Sequence, residues 1–505
     1  MKKYMYMAAA LLVLAACAKE KEVNTEKGEV SLNATMEIPV DGQTKTALSG
    51  LNVVWTGTES INVFTSASEN VQLTTTDSGS SAVFTGGGIT GTPQYAIYPY
   101  ASTNSISGST ITFTLPETQT YAANSFGQGA NVSVGKISGS AVSFKNVCGV
   151  LKLSLSIASG DAANVGRIVL TDENNWLTGT FSADAEDANP TATYTGSDGG
   201  NTITLDCSAG SGVALSTTAT DFYIVVPAGA CSAGFTAEVY SKQNHLITTL
   251  NTAKNNSVSR ATIKKMPEVA DIPWLPAAYT ECEYVQTNPS GAFNTEFRVD
   301  AEFSVDMDFA LYNQNARLHD DQYEYFVPVG SWKYPRIAWI RFTSALGYAN
   351  LTSGPEASWQ NASAGTGTNL YTVAPYNYSY FTDDKIVNIY WVNKLTRRDL
   401  SIDGHTVSAG TTLASVPTDG LSRPLYIGGV AEGDGEGDAG SSAGYLTPMK
   451  LYECTIYNGS DVVVRRFIPI LDGSNACLFE VSRTKTYSKT STYVYTPCFG
   501  SFTAH

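Results

Sequence analysis

Asp300 and Glu302 stand two residues apart in Phe297-Arg298-Val299-Asp300-Ala301-Glu302-Phe303-Ser304-Val305, an alternating run that reads as one strand with both carboxylates on one face. Two carboxyl groups roughly 5.5 Å apart, one kept protonated by an apolar setting, could cleave a glycosidic bond with retention. Glu296, Arg298, Ser304 and Asp306 fall on the same face, however, and make it a mixed polar surface with nothing placed to raise a pKa. No catalytic residue is expected. Sugar binding is the better supported chemistry, because aromatic rings stack on the C–H faces of pyranoses and add buried area to a polar ligand. Trp332, Tyr334, Trp339, Tyr376, Tyr378 and Tyr380 are the candidate glycan-binding residues, and the core is the competing destination for the same rings. In Tyr376-Asn377-Tyr378-Ser379-Tyr380 the three tyrosines share a face and go in or out together.

Metal chemistry finds little support. Asp434, Glu436 and Asp438 have the spacing of a calcium loop, but glycine falls one place late and Tyr445 occupies the twelfth position, so a solvated loop is expected and no cofactor is assigned. Setting Cys17 aside, seven cysteines remain, no CxxC occurs and only four histidines exist, which argues against a zinc centre. Cys148, and Cys454 in phase with Tyr452 and Ile456, read as small core residues.

The elements that must position these groups are strands. In Val150-Leu151-Lys152-Leu153-Ser154-Leu155-Ser156-Ile157 the apolar side chains alternate with polar ones, and Gly, Asn, Asp and Ser clusters punctuate such runs at short intervals. No segment has a helical period of useful length, so the class is all-β. A formal net charge of −15 repels phosphate backbones, which excludes nucleic acid as a partner. Pro267, Pro273 and Pro276 stiffen an acidic stretch taken as a linker over 267–278.

The amino terminus carries an address. The apolar run from Tyr4 to Ala16 is shorter than the roughly 20 residues that span a bilayer, and it follows the basic Lys2 and Lys3 as in a secretory signal. Leu14-Ala15-Ala16-Cys17 resembles the bacterial lipobox, which implies a signal peptide over 1–16, a lipid on Cys17, a charged tether over 17–28 and anchorage at the cell outer membrane.

Two further resemblances divide the chain. Lys45-Thr46-Ala47-Leu48, Val54-Trp55-Thr56, Glu59-Ser60-Ile61-Asn62-Val63-Phe64, Ala82-Val83-Phe84-Thr85-Gly86, Ala96-Ile97-Tyr98-Pro99-Tyr100, Phe144-Lys145-Asn146-Val147-Cys148-Gly149 and Phe222-Tyr223-Ile224-Val225-Val226-Pro227 follow in an order similar to the fimbrillin-like family of Bacteroides-type surface proteins. That resemblance implies two tandem Greek-key β-sandwiches, 29–140 and 141–266, and a relation to pilins and their tip and anchor subunits. From Glu283-Tyr284-Val285-Gln286 through Leu400-Ser401-Ile402-Asp403-Gly404, Pro424-Leu425-Tyr426-Ile427-Gly428-Gly429 and Lys450 to Tyr457, the chain resembles the concanavalin A-like, laminin-G-type module over 279–505. This implies a jelly roll that binds sugars or proteins. Because the first and last strands of a jelly roll lie side by side, Cys282 and Cys498 become a candidate disulfide.

The expected function is a surface-exposed lipoprotein of adhesin or fimbrial accessory type with a lectin-like terminal module. A surface glycan hydrolase or capture protein is the first alternative, and a structural pilin the second. No arginine precedes Arg167, and no free carboxy-terminal strand follows the two sandwiches, so self-polymerisation by strand exchange is not expected.

Overall fold

The computed structural model describes residues 28–38, 40–41, 54–298, 301–311, 318–319, 323–326, 329–331, 338–345, 353–359, 370–371, 384–409, 424–432, 442–483 and 493–505, and every named element in them is a strand. The class is all-β, as expected. Seven strands, β1 (Glu29–Met36), β2 (Ser60–Thr65), β3 (Asn70–Thr74), β4 (Ser81–Gly87), β5 (Pro93–Tyr98), β6 (Ser133–Ser138) and β7 (Ala141–Asn146), close into a barrel in the order β1-β7-β6-β5-β2-β3-β4. Closure leaves no exposed edge. Trp55 centres its interior, with edge-on rings of Phe84, Tyr98 and Phe144 at 4.9, 5.3 and 6.1 Å. Ala141–Asn146, read as the start of the second sandwich, pairs instead with β1 and β6 of the first, and the chain passes to the next body only after Asn146.

The second body sets β8 (Cys148–Ile157) opposite β9 (Asp161–Thr171), β10 (Thr202–Asp206), β12 (Phe235–Ser241) and β13 (Leu246–Thr252), with β11 (Thr220–Pro227) antiparallel to β8. The alternation read in Val150–Ile157 is present: Leu151, Leu153, Leu155 and Ile157 are buried in one core, while Lys152 pairs with Asp221 at 2.6 Å. Alongside β8 run two parallel segments, β14 (Thr262–Lys265) and β15 (Val269–Ile272). The stretch 267–278 is therefore built into the second body. Its Ile272, Trp274 and Leu275 are buried, and Leu275–Pro276 pairs with β9. The prolines bracket β15 without preventing it from pairing. The first and second bodies share a further core, including Phe64, Phe113, Val150 and Phe181, and Arg260 clasps Glu37 across them at 2.5 and 2.9 Å.

The carboxy-terminal jelly roll is built from β16 (Val285–Arg298), β17 (Phe303–Leu311), β18 (Val387–Asn393), β19 (Arg398–Ile402), β20 (Pro424–Ile427), β21 (Met449–Asn458), β22 (Val463–Asp472), β23 (Asn475–Glu480) and β24 (Phe499–Ala504), together with shorter strands. Its core holds Phe303, Val305, Met307, Phe309, Ile389, Trp391, Cys454 and Phe467. The run read as one strand through Asp300 and Glu302 is broken: β16 ends at Arg298 and β17 begins at Phe303. The first and last strands do pair antiparallel, Val285 opposite Ala504 and Ala292 opposite Phe499. That same register separates Cys282 from Cys498, because one lies beyond each end of the ladder, on the order of 30 Å apart at about 3.3 Å per residue. Both are free thiols, so the candidate disulfide is not formed.

The jelly roll does not hang loose from the second body. Ile468, Ile470, Cys477 and Phe479 on the outside of β22 and β23 belong to the second body's own core. Polar contacts frame this seam. Arg483 holds Asp161 at 2.8 and 2.9 Å and reaches the Trp274 carbonyl, and Arg466 donates to the Leu246 carbonyl. His245, 3% exposed, sets Nδ1 2.7 Å from Glu281 Oε1 and Nε2 3.0 Å from the Tyr452 carbonyl oxygen.

Candidate functional site

Strand β17 lies in the middle of a sheet, with β18 on one side and β21 on the other. Phe303, Val305, Met307 and Phe309 point into the core, so Ser304, Asp306 and Asp308 line the outer face. Cross-strand register then fixes their neighbours. Asp308 stands between Asn388 and Glu453, Asp306 between Tyr390 and Thr455, and Ser304 between Val392 and Tyr457.

One amide ties the two carboxylates together. Asn388 Nδ2 donates to Asp306 Oδ1 at 2.7 Å and to Asp308 Oδ1 at 2.9 Å. Burial pushes both aspartates above the usual carboxylate range; the Asn388 bonds pull the other way, and further charges add to the rise, Asp308 and Glu453 for Asp306, Glu453 and Asp403 for Asp308. The expectation that nothing on this face would raise a pKa is thus overturned, and the cause is the half-burial of side chains with few donors. Glu453 is engaged elsewhere, accepting from Arg466 Nε at 2.6 Å and Nη2 at 3.1 Å. Tyr390 and Tyr457 meet edge to face at 6.4 Å, and burial, with Asp306 beside it, pushes the Tyr457 phenol up to about 12. Ser304 is fully buried and among the described residues its Oγ has no hydrogen-bond partner.

Of the residues singled out from sequence, Glu302 serves the fold. Its carboxylate accepts the Leu395 N–H at 2.6 Å, beside the turn that joins β18 to β19. Asp300, Cys17, Trp332, Tyr334, Tyr376, Tyr378, Tyr380, Asp434, Glu436 and Asp438 lie outside the described residues. Trp339 sits within strand Ala338–Ala345, paired with Gly330 and Ser358. Among the described residues no three His, Cys, Asp or Glu side chains gather as a metal site. Asp308, Asn388, Tyr390 and Tyr457 were not singled out. The signal for the first was present, since Asp306-Met307-Asp308 continues the alternation of Phe303–Val305.

Comparison with known proteins places the chain at a distance from all of them. No protein-family model matches it, and no curated protein does. Among solved structures, a candidate cell adhesion protein from Bacteroides ovatus is similar at 12% identity and TM-score 0.30, over 47% of this chain and 89% of that one. A fimbrial protein from the same organism is similar at 13% identity and TM-score 0.24, over 51% of this chain and 53% of its own. Domains LG4-5 of the mouse laminin alpha1 chain are similar at 10% identity and TM-score 0.24, over 87% of each chain. At such scores the fold assignment rests on the strands described above.

Proposed function

We propose that the chain is an outer-membrane surface lipoprotein of adhesin type, tethered by a lipid on Cys17 and serving alone or as a fimbrial tip or accessory subunit, with the jelly roll binding a glycan or glycoprotein. The observation that carries this reading is the outer face of β17. It joins hydrogen-bond acceptors to two half-buried tyrosine rings on the body farthest along the chain from Cys17. The seam supports it further, because a shared core and polar links from His245 to Tyr452, Arg466 to Leu246 and Arg483 to Asp161 hold that body on the second one. Hydrolysis is the competing reading, favoured by the raised carboxyl pair. Against it, burial raises both carboxyls alike, whereas a retaining pair needs environments that keep one protonated and the other ionised.

Two experiments test the proposal. Cys17→Ala should move the protein from the membrane fraction to the soluble one; retention would remove the lipid anchor from the account. The mature protein on a glycan array should bind a defined set of glycans without releasing reducing ends. Turnover of any glycan would shift the assignment to the hydrolase.

A further inference from the structure

The outer face of β17 has more to say about what it recognises. Asn388 spends both amide hydrogens on the two aspartates, and among the described residues no donor reaches Asp306 Oδ2, Asp308 Oδ2 or Asn388 Oδ1 on this half-buried face. Beside them Ser304 Oγ, fully buried, is also without a partner. A group of acceptors lacking donors calls for a ligand that supplies several O–H or N–H groups at once. Next to these acceptors the Tyr390 and Tyr457 rings stand half-buried and offer apolar edges and faces.

Resting on the glycan-binding reading, we infer that this face is the sugar subsite, and that it takes a pyranose whose adjacent hydroxyls donate to Asp306, Asp308 and Asn388 while its C–H face lies against Tyr390 and Tyr457. A pyranose carries donors and an apolar face within one ring, which matches the spacing of two positions along a strand and one strand across. On the seam side of the site Arg466 is taken up by Glu453, to which it donates from Nε and Nη2. Among the described residues no three His, Cys, Asp or Glu side chains gather here as a metal site.

The test uses the full-length mature protein on a glycan array, followed by titration of the best ligand in solution. Wild type is compared with Asp306→Asn, Asp308→Asn and Tyr390→Leu, and with Asp461→Asn, an exposed turn residue paired with Lys394, as control. The first three should weaken binding about tenfold or more, the scale of a lost hydrogen bond to a charged group or a lost ring contact. Asp461→Asn and added EDTA should change nothing. The three variants lie on two different strands, so failure of one to fold leaves the others to decide, with melting temperature as the check. If wild type binds and these folded variants bind equally, the subsite is overturned while glycan binding stands on another face. If wild type binds no glycan, the glycan-binding reading itself falls. Loss of binding in EDTA would overturn hydroxyl recognition in favour of a bound cation.

Discussion

The barrel and the jelly roll each carry two telling carboxylates, and they are treated in opposite ways. In the barrel, burial pushes Glu59 up, but the Thr56 hydroxyl and the N–H groups of Thr56, Gly57 and Thr58 outweigh it and hold the group below the usual range. Glu69 is lowered to about 2 by the Thr90 hydroxyl, the Gly91 N–H and the Thr65 hydroxyl. Each of these groups closes a turn, and its oxygens are fully used. Asp306 and Asp308 share a single amide, keep an oxygen each without a donor among the described residues and are raised by burial. The contrast teaches that an acid with its donors supplied serves the fold, whereas a half-buried acid short of donors is held for something that brings them.

Glu59→Ala should produce the largest effect. It strips the acceptor from three backbone N–H groups in the turn that enters β2, at a cost of about 2–3 kcal/mol, read by chemical denaturation. A smaller loss would mean that water serves those donors as well as the carboxylate does. Asp308→Asn should do the reverse, sparing or slightly raising the melting temperature at neutral pH, by about a degree or two, while it weakens glycan binding. A clear loss of stability would place Asp308 among the fold-closing acids and erase the contrast.

The pH dependence sharpens the comparison because the two signs differ. Glu69 is lowered in the folded state, so its stabilisation is complete above about 4.5 and is lost as pH falls toward about 2. The difference in melting temperature between wild type and Glu69→Gln should therefore vanish over that window. Asp308 is raised in the folded state, so ionisation costs stability as pH rises above the ordinary carboxylate value, and the advantage of Asp308→Asn should shrink as pH falls back into the range where Asp308 takes up its proton. Parallel trends for both variants would contradict the opposed environments. The smallest effect is expected for Ser304→Ala, within about 0.5 kcal/mol of wild type, because its Oγ forfeits no hydrogen bond in the free protein.

Much of the fold could be read from the chain, and the exceptions have physical causes. The alternation in β8 and the core roles of Cys148 and Cys454 follow from side-chain period alone. The end of β16 at Arg298 and the start of β17 at Phe303 do not, since alternation continues through this stretch of sequence and neither glycine nor proline falls between them. The resemblance places Ala141–Asn146 at the opening of the second sandwich, but barrel closure claims it for the first. The site was half visible. Asp306 and Asp308 share a face by spacing, whereas the partnership with Asn388, Tyr390 and Tyr457 depends on which strands pair and in which register, and no local pattern states that.

Carboxyl footprinting tests the central claim most directly. Full-length protein is labelled with a carbodiimide and an amine, with and without saturating amounts of the best glycan from the array, and the sites are read by mass spectrometry. Asp306 and Asp308 should label in the free protein and be shielded by the glycan, while Glu59 and Glu69 keep the same labelling in both states. Glycan binding that leaves Asp306 and Asp308 as open to the reagent as before would contradict the account.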